Sequence, residues 1–147
     1  MKELAWRERV ILARLIVALA DDDAPAVVTA MRAAWFATVA SSEGVALAAA
    51  RVLFDRCDRA STDGLPFPLF LRSLEQRDRF LSMPDQLMLV ARVSMLIRGL
   101  SMALGAPVRV APLWRPLAAG VIAEDEARAR REDEARARRE AADGVTV

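Results

Sequence analysis

An all-α fold is predicted, on three observations. Apolar residues recur at three- and four-residue steps in several stretches. The breaks between those stretches carry helix-capping and helix-stopping residues. No alternating apolar–polar run persists: Val108 to Val110 is too short to build a sheet. About six helices are expected, and the apolar helix that follows Pro84 is expected to contact most of the others.

The chain of 147 residues suits one domain with a real core. Its formal net charge of +1 is too small to argue for a nucleic-acid partner. The single cysteine, Cys57, leaves no intramolecular disulfide and no cysteine metal cluster. The chain has no histidine, so the commonest general base and the commonest zinc ligand are both missing. The N-terminus carries acids before its apolar run and lacks a small-residue cleavage site, so it reads as neither a secretory signal nor a transit peptide.

Glu3 to Ala20 has the spacing of an amphipathic helix. Leu4, Val10, Ile11, Leu15, Ile16 and Leu19 form the expected inner face; Arg7, Glu8, Arg9 and Arg14 face outward. Asp21, Asp22 and Asp23 end it and cap the next helix, whose first turn accepts Pro25. A metal would need oxygens converging from several directions, and three adjacent aspartates before Ala-Pro favour capping instead. A second helix is expected over Val27 to Ala40, with Val28, Met31, Trp35 and Val39 along one face. Trp35 is a candidate binding aromatic, but at helical spacing beside Phe36 core packing is favoured.

Ser41 and Ser42 are N-cap candidates for a third helix, expected to run from Glu43 to about Arg59. Cys57 lies near its end, between Arg56 and Arg59. Adjacent cations favour a reactive thiolate, although a lone cysteine is usually a small structural residue. Ser61 to Pro68 is a loop, with Phe67 pinning it to the core. Phe70 to Leu81 is expected to return to helix, with Phe70, Leu71, Leu74 and Phe80 inward. Glu75, Gln76, Arg77, Asp78 and Arg79 form a polar patch, expected to be a solvated face; a docking surface is its functional alternative.

Leu87, Leu89, Val90, Val93, Leu96, Ile97, Leu100 and Leu104 paint a wide apolar stripe. Pro84 and Asp85 suit its first turn, and Gly105 the left-handed position just past its end. Arg92, Ser94 and Arg98 interrupt it, short of the roughly 18–20 uncharged apolar residues of a membrane span. A largely buried helix is predicted, its arginines snorkelling outward or paired. Val108 to Ala111 is expected to be extended, leading into a helix at Pro112, Trp114 and Pro116.

Beyond Leu117 the composition changes. EDEARARR occurs twice, at Glu124–Arg131 and Glu132–Arg139. Glu124 and Arg128, Glu126 and Arg130, Glu132 and Arg136, and Glu134 and Arg138 stand four apart with the acid first, the favourable order. No apolar heptad stripe is kept, so a solvent-exposed, self-supporting charged helix is predicted in place of a coiled coil. Acids and bases balance locally, which argues against nucleic acid here too.

The helix with Arg92, Ser94, Leu96, Arg98 and Gly99, followed by Ala103-Leu104-Gly105 and then Leu113-Trp114-Arg115-Pro116, resembles the C-terminal end of the UbiB/AarF family of atypical kinase-like proteins, the activity-of-bc-one-complex kinases. Lys2-Glu3-Leu4 and Leu19-Ala20-Asp21-Asp22-Asp23 look like the segment that follows that family's Asp-Phe-Gly-like motif. The resemblance covers about Lys2 to Ala119. It implies a helical bundle resembling the C-terminal lobe and extension of a protein-kinase-like fold. Residues 1–119 would be part of that lobe, and residues 120–147 a charged Glu/Arg helical tail.

The family implies atypical kinase or ATPase activity linked to coenzyme Q and prenyl-lipid metabolism, with ATP and magnesium as cofactors. It also implies a mitochondrial, plastid or bacterial membrane-associated setting. None of the family's catalytic motifs is visible: the six glycines never form G-x-G-x-x-G, and Lys2 is the only lysine. No catalytic, cofactor-binding or metal-binding residue is carried onto this chain, and no cofactor is expected in it. Three readings remain: a C-terminal piece of such a protein, whose partner is the missing N-terminal kinase lobe; a free-standing, non-catalytic interaction module; and an unrelated bundle at a membrane or lipid surface. The last calls for a cationic cluster that the scattered arginines do not supply.

Overall fold

The structure, a computed structural model, describes residues 4–144. Lys2 and Glu3, the first residues of the stretch taken as family-like, lie outside the described residues. The described residues form six helices and one short two-stranded ribbon: α1 (Trp6–Ala20), α2 (Ala24–Ala33), β1 (Ala37–Thr38), α3 (Glu43–Phe54), α4 (Phe67–Arg77), β2 (Phe80–Ser82), α5 (Asp85–Ala103) and α6 (Val110–Asp143). The fold is mostly helical, as the periodicity predicts.

The hub is α1, not α5. α1 packs against α2, α3 and α6, whereas α5 touches α3 and, slightly, α6. Val10, Leu15, Ile16 and Leu19 are buried as expected, and Ala13 and Ala18 join them because small side chains let neighbouring helices approach. Arg7, Arg9 and Arg14 are exposed. The core continues through Val27 and Met31 of α2, Val52, Leu53 and Phe54 of α3, and Phe70 and Leu74 of α4. Phe67 packs against it, half-buried.

Three helices stop in the same way. Asp23 N donates to Ala18 O at 2.9 Å and Asp22 N to Leu19 O at 3.3 Å. Phe36 N donates to Met31 O and Trp35 N to Arg32 O; Ala106 N donates to Ser101 O and Gly105 N to Met102 O. These paired bonds make Schellman caps, which need a left-handed residue just past the helix. That residue is Asp22 (φ 53°), Trp35 (φ 63°) and Gly105 (φ 71°). Gly105 stands where expected. The cap at Trp35 overturns the expected helix to Ala40: α2 ends at Ala33, Phe36 turns inward, and Trp35 and Val39 are exposed rather than buried.

The segment released by that cap pairs with a second short strand, although no strand was expected. β1 and β2 are antiparallel, with Ala37 opposite Ser82 and Thr38 opposite Phe80 across an irregularity. Phe80 meets Phe36 edge-on, with ring centroids 5.4 Å apart. The helix expected over Phe70 to Leu81 therefore runs from Phe67 to Arg77, one turn earlier at both ends.

Asp78 explains the corner. It was grouped with the solvated patch Glu75–Arg79, yet it is buried. Its carboxylate accepts hydrogen bonds from Thr38 Oγ1, Ala40 N and Ser42 N, tying the end of α4 to the start of α3. Burial pushes its pKa up, but these three donors outweigh that and hold it below the usual carboxylate value. Ser42 caps α3, accepting from Val45 N, and Asp23 caps α2, accepting from Ala26 N.

α3 also ends early, at Phe54 rather than near Arg59, because Asp55 leaves the helix to serve α6. Consequently α6 begins at Val110, inside the stretch expected to be extended. It is one helix of 34 residues, so the charged tail continues the helix that carries Trp114. Its inner part is fastened to α1: Trp6 Nε1 donates to Asp125 Oδ1 at 2.9 Å, and the Arg128 guanidinium lies 4.1 Å from the centre of the Trp6 ring. The pair Glu124–Arg128 closes at 2.9 Å. From residue 129 to residue 144 every residue is exposed.

Candidate functional site

The chemistry-bearing residues gather where α1 ends, α3 ends and α6 begins. Asp55 is almost wholly buried there. Its Oδ2 accepts from Arg109 Nη2 at 2.7 Å and Nε at 3.0 Å, and its Oδ1 accepts from Ala111 N at 3.2 Å. Its own carbonyl accepts from Val110 N at 3.0 Å. A carboxylate at the positive start of a helix, bonded to a first-turn N–H group, is stabilised by the helix dipole. Asp55 thus caps α6 from another part of the chain.

Arg109 reaches three elements. Besides Asp55 it donates to Leu19 O at 3.0 Å and to both oxygens of Asp22 at 3.3 Å. The Asp55 hydrogen bonds hold its pKa above the ordinary arginine value. Six residues further on, Arg115 grips Asp21 with two bonds, Nε to Oδ1 at 2.8 Å and Nη2 to Oδ2 at 3.0 Å. This hydrogen bonding keeps Asp21 below the usual carboxylate range. The aspartates taken as caps therefore divide the work: Asp23 caps α2, while Asp21 and Asp22 clasp α6 to α1.

Beside the clasp lies a groove of about 340 Å³, between the link after α3 and the link before α6. Arg56, Cys57, Arg98, Ser101, Met102 and Arg109 line it. Of the two α5 arginines expected outside or paired, Arg92 is exposed, but Arg98 is only 5% exposed. Arg98 donates to Ser94 O at 3.3 Å and Leu53 O at 3.4 Å, and its Nη1 has no hydrogen-bond partner among the described residues. Burial pulls its pKa below the ordinary arginine value, against the opposing pull of Cys57 and Asp55. Cys57 is half-buried, and burial pushes its thiol up despite the charge on Arg98. This opposes the thiolate that neighbouring arginines had suggested.

α5 covers only part of the expected stripe: Leu87 is buried and Val90 and Ile97 are half-buried. Its buried residues are Leu87, Ala91, Ser94 and Arg98. Leu89, Val93, Leu96, Leu100 and Leu104 form a stripe along the other side, and all are exposed, Leu96 at 73%. The helix is not largely buried. By length and composition alone it is apolar enough to cross a membrane. Its inner face, however, carries a buried arginine bonded to α3, which fixes it to the protein body. Trp35, 67% exposed, stands over a separate small apolar groove with Ile11, Leu12, Pro84 and Leu87.

The residues that carry the family resemblance fall in two places. Arg98, Arg115, Asp21 and Asp22 meet around the clasp and groove, whereas Leu96, Leu104 and Leu113 lie on open surface. Sequence reasoning missed Asp55 and Arg109, the two best-connected ions. The available signal was a lone acid directly after the apolar run Val52-Leu53-Phe54, and a lone base between Val108 and Val110. Among the described residues no three His, Cys, Asp or Glu side chains converge to hold a metal. No family model matches the chain, and no curated protein or solved structure matches it significantly.

Proposed function

We propose that this chain is the helical C-terminal part of a UbiB/AarF-type kinase-like protein, a non-catalytic platform that docks onto the nucleotide-binding part through the outer face of α5. The observation that carries the reading is the stripe Leu89, Val93, Leu96, Leu100 and Leu104, exposed on the helix that also bears the family-like Arg-x-Ser-x-Leu-x-Arg-Gly run. A contiguous exposed apolar face is a mark of an interaction surface. The reading is also supported by the contact between its two family-like pieces: Asp21, in the run Leu19–Asp23, pairs with Arg115 of Leu-Trp-Arg-Pro.

Two measurements test this. An in-frame Asp-Phe-Gly-like run in the coding sequence upstream of Met1 supports the family; a stop codon and promoter there sink it in favour of a free-standing module. Titration of the chain with Mg–ATP in a calorimeter should give no binding heat, and micromolar affinity would overturn the non-catalytic role. The face itself is read by an apolar fluorescent dye. Leu96→Glu with Leu100→Glu should weaken dye binding severalfold while the far-ultraviolet circular dichroism stays unchanged, and undiminished binding would place the dye elsewhere.

A further inference from the structure

We propose that the groove between the link after α3 and the link before α6 binds a small organic oxyanion, a carboxylate or phosphate monoester with a short apolar body, through Arg98 and Arg56. The proposal is independent of the family reading. A buried guanidinium needs an anion and a full set of hydrogen-bond acceptors, because removing the charge from water costs several kcal/mol. Arg98 has neither. Its partners are two uncharged carbonyls at 3.3 and 3.4 Å, and its Nη1 is buried with no partner among the described residues.

The nearby carboxylates give Arg98 no hydrogen bond, and the Asp55 charge that pulls on it is shared with other donors. Asp55 is occupied by Arg109 and by the first turn of α6. Asp58, which also lines the groove, has its Oδ1 bonded to Ser61 N at 2.7 Å within its own loop. Arg56 is a second underused donor: its Nε is buried without a partner among the described residues, and its nearest carboxylate contact is Asp22 at 3.8 Å. Two guanidinium groups with free N–H donors suit an oxyanion better than any neutral group.

The groove's size and remaining walls describe the rest of the ligand. About 340 Å³ exceeds what a bare ion needs and falls within the range of small-molecule sites. Met102, Pro107 and Val108 give it an apolar side, and Ser101 adds a hydroxyl. An anionic head on the arginines with a few carbons against Met102 matches this division.

Cys57 is the only cysteine and lines the groove, so it reports occupancy directly. The full chain is labelled with N-ethylmaleimide, an uncharged thiol reagent, at fixed pH and ionic strength. Hexyl phosphate, hexanoate, inorganic phosphate and neutral 1-hexanol serve as probes. Anionic probes should slow labelling, by about tenfold at a concentration about nine times the probe's Kd. Arg98→Met should abolish the protection, with folding checked by circular dichroism. Arg56→Gln, at a partly exposed position, should weaken it and stands in if Arg98→Met does not fold.

Equal protection by inorganic and hexyl phosphate assigns the site to a free anion; protection by the hexyl acids alone assigns it to an amphiphilic acid. The second outcome supports the proposal in full; the first keeps the anion site on the arginines and overturns the apolar body. Three results would overturn it: no protection by any anionic probe at about 10 mM, enough to saturate a site of about 1 mM Kd; protection by hexanol equal to that by hexyl phosphate; or protection undiminished in the arginine variants.

Discussion

α1 and α5 are both apolar helices with arginines set into them, and the fold uses them in opposite senses. α1 turns its leucines inward and its arginines outward; α5 leaves Leu96, Leu100 and Leu104 in solvent and buries Arg98. The difference lies in what surrounds each helix. α2, α3 and α6 converge on α1, whereas α5 meets α3 and little else. Periodicity locates a stripe on a helix, but only neighbours decide whether the stripe is covered. Between these helices the hydrophobic effect is satisfied at one and left open at the other.

The contrast is sharpest where charge fastens α6 to α1 and α3. Asp55→Ala removes the anion that Arg109 and the α6 N-terminus share, and should cost about 3–5 kcal/mol in urea unfolding. A loss below about 1 kcal/mol would show the clasp to be a surface pair. Leu15→Ala in α1 should cost about 2–5 kcal/mol, because Leu15 is fully buried. The same change at Leu96 should stay within about 0.5 kcal/mol. Equal losses at the two leucines would mean that α5 is covered in solution and would erase the distinction.

Acid should loosen the ties made by Asp21 and Asp78. Asp21 and Asp78 have folded-state pKa values below the usual one, the former through Arg115 and the latter through three hydrogen bonds that outweigh its burial. A depressed folded pKa contributes stability that is complete above the unfolded value of about 3.9 and is lost as pH falls through the folded value. The melting temperature should therefore fall between about pH 5 and pH 2. Asp78→Asn should lower it at neutral pH and flatten this acid limb. An unchanged limb in that variant would remove Asp78 from the account.

One expected effect has the opposite sign. Trp35 holds a left-handed conformation that costs an L-residue about 1–2 kcal/mol, and it is exposed. Trp35→Gly should relieve that strain and stabilise the chain by up to about 1 kcal/mol, since glycine is the usual residue in this cap. A destabilised variant would show that the indole packs in solution more than its exposure implies.

These contrasts separate what the sequence could disclose from what it could not. Caps were legible: Ser42, Asp23, Pro25 and Gly105 have short-range roles, and each stands as expected. The tryptophan cap was not legible, because a tryptophan among Met, Val and Phe imitates a helix face. Its misreading carried α2 seven residues too far and concealed the ribbon. Asp78, Asp55 and Arg109 escaped for a related reason. Each works on partners distant in sequence, and a charged side chain gives no local sign of whether its partner is water or a backbone N–H. The groove at Arg98 was invisible for the same cause, since an arginine inside an apolar helix reads equally as snorkelling or as buried.

The Trp6 clamp on α6 fixes where the rod leaves the body. Past Arg128 the helix runs on to Asp143 with every residue exposed, roughly 22 Å at the standard rise. Such a projection acts as a ruler: it holds residue 144 at a set distance from the clasp and offers a protease a row of exposed arginines. Limited trypsin digestion should shorten this arm in steps and then stall near Arg128, whose guanidinium is held by Glu124 and the Trp6 ring.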